Sequence, residues 1–257
     1  MPSWDPATYE RYKAYRDRPA LDLLLRLPAD LSPREIWDLG CGTGEHAALL
    51  ARRHPGARVH GLDSSPAMLD EARARNAEVD WRLGDIAGFA PDAPVDLIFT
   101  NAALQWLPDH AVLFPRLAGL LASGGVFACQ IPIAYESLHH QLLREVAEEG
   151  PWAALTRTAR VIQPTPSMAD YHRWLGQACD EIDIWSTTYL HALEGPDPVI
   201  DWMDGTALRP YLDVLTDETL RQAFLDALKA RMVEAFPPEP DGTTLFPFAR
   251  LFMVARR

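Results

Sequence analysis

Three cysteines in 257 residues are too few and too scattered to staple a fold. Cys41, Cys129 and Cys179 have no metal-ligand spacing, and an odd, sparse set argues against a disulfide framework and for a reducing compartment. No cluster of Cys, His and Asp calls for a metal. Long apolar runs are missing too. No stretch of about 18 such residues is there to span a bilayer, and the opening MPSWDPATYERYKAYRDR lacks the apolar centre of a signal peptide. A cytoplasmic protein is expected. Positive charge is in deficit, with 24 Lys and Arg against 36 Asp and Glu, for a net charge of −12. That balance argues against general adhesion to nucleic acid or an anionic membrane, while leaving room for a local basic pocket.

What is present is a rhythm. Short apolar runs at 35–39, 57–62, 79–83, 95–100 and 125–131 alternate with helix-like segments at 44–53, 66–75 and 110–121. Strands alternating with helices predict a parallel sheet with right-handed crossovers. Ser65 followed by Pro66 is a helix start, and Gly124-Gly125 marks the turn into the fifth strand. Before this core, residues 1–30 read as a helical segment with Leu21, Leu24 and Leu25 on one face. After it, 135–149 reads as a helix carrying His139 and His140 in solvent, and 151–170 as a covering segment. EIDIWSTTYLHAL (181–193) alternates like a strand, 197–236 reads as helical, PPEPDG (237–242) as a turn and LFPFARLFMVARR as a last strand. The expected fold is α/β, a Rossmann-like seven-stranded mixed sheet with a helical cap. One domain, 1–257, would hold a cofactor-binding core at 31–132 and cap or insert regions at 133–178 and 194–244. Strands at 181–193 and 245–256 would complete the sheet.

The stretch WDLGCGTGEHAALL (37–50) closes the first strand on three glycines. A phosphate loop needs Lys-Ser/Thr after its glycines, and here Glu45 and His46 follow Gly44. A dinucleotide fingerprint needs G-x-G-x-x-G, whereas Gly40, Gly42 and Gly44 give G-x-G-x-G, and Glu45 opposes a pyrophosphate at the helix start. A cationic nucleoside without phosphates suits these residues better, and S-adenosylmethionine (SAM) is such a molecule. Glycines let the backbone pass close to its methionine part. Asp63, about 20 residues further at the end of the second strand, is placed to accept from both ribose hydroxyls. Asp85 is placed for the adenine amino group with Ile86 against the ring, and Asn101 for the sulfonium end. Singly, each has a plain alternative as a turn residue. Together they fall at successive strand ends, where an open α/β sheet binds its ligand.

In WDLGCGTGEHAALL, GLDSSPAML, GDI and NAALQWLPDH the chain resembles class I SAM-dependent methyltransferases. In WDPATYERY, RDRPALDLL, NAALQWLPDHAVLFPRL, IDIWSTTYLH, DWMDGTALRPYL and FPFARLFMVARR it resembles the trans-aconitate 2-methyltransferase family along most of its length. The resemblance implies that Gly40, Gly42, Gly44, Asp63, Asp85, Ile86 and Asn101 contact SAM, joined by Asp38, Ser64 and Met68 from the same motifs. It also implies methyl-ester formation on a small tricarboxylate.

A carboxylate, with a pKa of about 4, is already ionised at pH 7, so no general base is expected. Alignment and desolvation are then the protein's task, worth ~7–11 kcal/mol in favourable cases. Arginine forks suit carboxylates. Arg18, for the substrate or the carboxylate of SAM, and Arg209, for the substrate, are candidate contacts, with surface ion pairs as the alternative, while Arg250 reads as a structural strand residue with its charge turned outward. Gln105, Trp106, Gln130 and Tyr189 complete the candidate substrate set, ahead of Tyr12, His191 and Trp202. Two other readings stay open: a methyltransferase for a different small acceptor, and a SAM-binding protein without turnover. A monomer or weak homodimer is expected.

Overall fold

The structure, a computed structural model, describes residues 13–159, 163–204 and 206–257. Its elements in chain order begin with α1 (Lys13–Leu25), β1 (Glu35–Leu39), α2 (Glu45–Arg53), β2 (Arg58–Asp63), α3 (Pro66–Arg75), β3 (Asp80–Leu83), β4 (Val95–Asn101), α4 (His110–Gly119) and β5 (Leu121–Pro132). There follow α5 (Leu138–Glu148), α6 (Ala153–Thr156), α7 (Met168–Leu175), β6 (Glu181–Leu193), α8 (Pro198–Asp204), α9 (Arg209–Val214), α10 (Glu218–Ala235) and β7 (Thr244–Arg256). The motif WDPATYERY, with Tyr12, lies outside the described residues.

The strands form one mixed sheet in the order β3-β2-β1-β4-β5-β7-β6. β1 to β5 pair in parallel, and β7 runs antiparallel to β5. Parallel strands covered on both faces read as continuous apolar runs. Accordingly β1 buries Ile36 to Leu39, and Leu97, Ile98 and Phe99 of β4 are fully buried. β3, at the edge, is short, largely exposed and carries Asp80 and Arg82, features that discourage pairing with another chain. Trp81 of β3 lies where a Cβ at Gly44 or Gly61 would fall, 2.3 and 2.4 Å away, and its Nε1–H donates to Asn76 O at 2.8 Å. β5 begins earlier than the sequence suggests. The register against β4 slips between Val95 and Leu97, so Gly124-Gly125 forms an irregularity inside the strand rather than a turn before it.

At the N-terminal end of the strands the buried His60 ring sits 2.9 Å from Asp80 and 3.0 Å from Glu35, stacked on Trp37. This ties the first residues of β1 and β3 to β2. The other end, where strand order reverses between β1 and β4, is left to the loops that bind ligands in such sheets.

The chain divides into two compact units. The first takes residues 18–132, 166–187 and 250–257. Its part of α1 buries Ala20, Leu23 and Leu24 and exposes Leu21 and Leu25, so the apolar face differs from the expected Leu21-Leu24-Leu25 stripe. The second takes the described residues up to Asp17 and those in 133–165 and 188–249. Its core gathers Trp152, Trp202, Phe224, Leu228 and Phe246. The helical stretch 197–236 resolves into α8, α9 and α10, with Pro210 in the first turn of α9 and Asp217 capping α10 by accepting from Leu220 N–H. His139 and His140 of α5 are buried rather than solvated, and His139 meets Phe246 edge-on at 4.7 Å. Burial, then the neighbouring His140, lowers the His139 pKa, while burial and Arg144 lower that of His140 to about 4.

Candidate active site

Leu39 ends β1 and the chain turns at once. Gly40, Gly42 and Gly44 all adopt left-handed backbone, at φ 73°, 54° and 84°. Two of them show why the loop is glycine. At Gly40 a Cβ would lie 2.3 Å from the Ala103 Cβ, so two loops touch there. At Gly42 nothing lies within 4 Å, and the backbone opens onto space that a ligand can use. The loop is held by the end of β2: Gly40 and Cys41 N–H donate to Leu62 O at 2.8 and 3.0 Å, and Gly42 N–H to Asp63 Oδ2 at 2.9 Å. Asp63 Oδ1 accepts from Ser65 N–H at 2.8 Å. Each oxygen keeps acceptor capacity beyond these bonds. Ser65 caps α3 by accepting from Met68 N–H at 3.4 Å, with exposed Ser64 and half-buried Met68 alongside.

Asp38, in β1, is 1% exposed. It accepts from Ala47 N–H, but its Oδ2 has no partner. Burial, then the charges of Asp63 and Glu45, push its pKa up to about 8. Glu45 itself pairs with Arg75 and accepts from Thr43 Oγ1 at 2.5 Å. A buried acid with an open oxygen is costly, and a cationic ligand group offsets that cost.

The ends of β4 and β5 carry amides. Asn101 lies opposite Gln130 in the parallel register, and Ala102, left-handed at φ 53°, donates its N–H to Gln130 O at 2.9 Å. Gln105 Nε2 donates to Ala102 O at 2.7 Å. Asn101 Oδ1, Gln105 Oε1 and both amide atoms of Gln130 are buried without a hydrogen-bond partner. Buried polar groups are paired in the great majority of cases, so several open ones at one sheet edge mark a seat for something polar.

The turn 104–106 is fixed from outside. His110 Nε2–H donates to Leu104 O at 2.9 Å, and its Nδ1 accepts from the Tyr171 hydroxyl at 2.7 Å. Trp106 is 41% exposed, so its indole is not part of the core. Asp85, also exposed, accepts from Ala87 N–H at 2.9 Å ahead of buried Ile86. Arg116 secures that turn by donating to Phe89 O and Ile86 O at 2.7 and 2.8 Å.

The strand ends of the first unit therefore gather the whole expected cofactor set together with Gln105, Trp106 and Gln130. Arg18 is exposed on α1. Tyr189 and Arg209 belong to the second unit. Tyr189 is buried and stacks on His191, and Arg209 pairs through Nε with Asp213 one turn on at 3.0 Å. Arg250 is not turned outward: it is 5% exposed in β7, opposite Pro132. His110, Tyr171 and Arg116 escaped the sequence reading because their partners are far away in the chain and no motif joins them. Among the described residues no group of His, Cys, Asp and Glu is arranged to hold a metal, and no helix is long and apolar enough to cross a membrane.

A sheet that reverses at β1 and β4, with a glycine loop held by an acidic strand end, is the arrangement that the resemblance to class I methyltransferases implies. Residues 36–125 match the family described as Methyltransferase domain. The chain is 47% identical over 258 residues to a trans-aconitate 2-methyltransferase of Methylobacterium nodulans, covering 100% of this chain and 99% of that one. It is 46% identical over 257 residues to another from an Azoarcus species, covering 100% of both. The fold also resembles Haemonchus contortus phosphoethanolamine N-methyltransferase 2, solved with phosphomonomethylethanolamine and S-adenosylhomocysteine. The TM-score is 0.57 at 17% identity, over 93% of this chain and 52% of that one. The chain belongs to the trans-aconitate 2-methyltransferase family, and so to the SAM-dependent methyltransferases.

Proposed function

We propose that the protein methylates a carboxylate of trans-aconitate, or of a closely related small tricarboxylate, to give the methyl ester. The observation that carries this reading is the identity of 47% across the whole chain with a protein of that name. The site's residues fit SAM: the open space at Gly42 admits the methionine part, and the open Oδ2 of buried Asp38 suits its cationic end. Asp63 would accept from the ribose hydroxyls, and Asp85 with Ile86 would hold the adenine. When bound, SAM supplies an electrophilic methyl group on a sulfonium.

The acceptor carboxylate needs no proton removed at pH 7, since its pKa is about 4. Gln105 and Trp106 would position it and exclude water, and Asn101 would face the methyl donor end. Arg18, Arg209 and Tyr189 are proposed contacts for the acceptor. Arg209 spends its Nε on Asp213, and a guanidinium has further donors for a carboxylate. Arg209→Ala should raise KM for the acid about tenfold or more, as loss of a charged hydrogen bond does, and leave SAM affinity unchanged. Unaltered kinetics would remove Arg209 from the site.

The assay for the reaction is incubation with methyl-labelled SAM and a panel of di- and tricarboxylates. Base-labile label on trans-aconitate, far above citrate and isocitrate, is the expected result. No label on any acid overturns the reading.

A further inference from the structure

Arginine 250 and glutamine 130 lie on one face of the sheet. Asn101 pairs with Gln130 across β4 and β5, Gln130 with Phe252 across β5 and β7, and Pro132 with Arg250 one pleat further. Directly opposed residues point to the same face, as do residues two apart in a strand. Asn101, Gln130, Phe252 and Arg250 therefore share a face, with Arg250 displaced by about 6–7 Å along the strands. The same row holds the end of β1: Asp38 pairs with Phe99, so Gly40 follows Asp38 as Asn101 follows Phe99.

Gln130 is costly where it is: it is 0% exposed, with neither amide atom hydrogen-bonded, and an apolar residue there would fill the space without that cost. Arg250 brings a permanent charge to the same face at 5% exposure.

We propose that these two residues divide the recognition of the acceptor between them: the Gln130 amide faces the carboxylate that is methylated, and the Arg250 guanidinium holds one that is not. This rests on the reading that the acceptor is a small polyacid. The assignment follows from where charge changes. A lone pair of the carboxylate oxygen forms the new O–C bond, the C–S electron pair stays on sulfur, and no proton moves. An anion and a cation become a neutral ester and a neutral thioether.

A guanidinium on the reacting oxygen would stabilise the starting anion more than the transition state in which that charge is disappearing, and so would slow the step. A neutral amide N–H orients the same oxygen with much less of this penalty. A carboxylate that does not react keeps its charge throughout. Arg250 binds it equally in ground and transition states, which lowers KM and leaves kcat alone.

The test combines equilibrium binding with kinetics. Trans-aconitate is titrated calorimetrically into protein saturated with S-adenosylhomocysteine, and kcat and KM are measured with SAM. Arg250→Met should raise Kd and KM by at least about 30-fold, the loss expected for a buried charged contact, with kcat within about threefold. Gln130→Met, of similar volume, should lower kcat by about tenfold or more and move Kd by no more than about threefold. Affinity for S-adenosylhomocysteine should hold in both variants.

If Arg250→Met fails to fold, Arg250→Lys carries its arm, with Kd weakened but less than by loss of the charge; a wild-type Kd there overturns the role of Arg250. Variants that leave Kd, KM and kcat unchanged, or an Arg250 variant that moves kcat alone, overturn the division while the proposed activity stands. A wild-type protein that methylates no acid overturns the activity and the division together.

Discussion

Asp38 holds a proton in the ligand-free protein below about pH 8, because burial and the neighbouring carboxylates of Asp63 and Glu45 disfavour its charge. A cationic group of SAM bound beside Asp38, as proposed, would reverse that preference and release the proton on binding. Affinity for SAM should rise with pH up to about 8, by at most about tenfold per unit, and then level off. Calorimetry at pH 7 in buffers of different ionisation enthalpy should detect the released proton, and Asp38→Asn should release none. Zero release by the wild type would contradict the assignment. Without ligand the sign is opposite. Between about pH 4 and 8 the folded chain holds a proton that the unfolded chain has lost, so this residue's contribution to stability declines as pH rises through that window.

The glycines separate two costs. Gly42→Ala places a methyl in open space on left-handed backbone, a penalty of about 1–2 kcal/mol, and should weaken SAM binding beyond that. Gly40→Ala adds the collision with Ala103 and should lower the unfolding midpoint further. Equal midpoints for the two variants would mean that the loop yields at Gly40. The glycine turn and the placing of Asp63 at the end of β2 were legible in the sequence because each depends on a few neighbouring positions. The burial of Arg250 was not legible. Alternation in β7 suggests one wet face, and only the pairing with β5 reveals that Arg250 faces inward.

Helix and strand boundaries could be read where capping chemistry is local, as at Ser65-Pro66, where α3 starts as expected. They were missed where tertiary pairing sets them, as in β5, whose first residues pair with β4 across a register slip. The turn 104–106 belongs to the second kind. Its support comes from α4 and α7 through His110 and Tyr171, which are 61 positions apart. Tyr171→Phe removes the hydroxyl that His110 Nδ1 accepts from and leaves a buried acceptor open, a loss of about 1–3 kcal/mol in stability. Chemical denaturation should show that loss while S-adenosylhomocysteine titration gives wild-type affinity. Wild-type stability would mean that the pair is not a support.

Across the whole molecule, the parallel sheet was readable from alternation of apolar and amphipathic runs. The second unit is assembled from three separated stretches of chain. Its buried histidines give it an acid sensitivity. His139 and His140 are held neutral in the fold, His140 down to about 4, and once unfolded they take up protons below about pH 6.5. The unfolded chain therefore binds more protons, and stability falls as pH drops from about 7 towards 4. Scanning calorimetry should find a lower Tm at pH 5 than at pH 7, with a smaller difference in His140→Gln. An identical pH dependence in that variant would acquit His140.

Trp81, lying over both Gly44 and Gly61, also restricts the routes by which this sequence can drift. Two glycines distant in the chain share one aromatic lid, so a methyl at either is barred while the indole stays. A lineage can accept alanine at Gly61 only after the indole has been traded for something smaller, whereas Gly44 stays restricted by its left-handed backbone even then. The order of those changes is imposed by packing. Family members that lack the tryptophan are where a side chain at position 61 should be found.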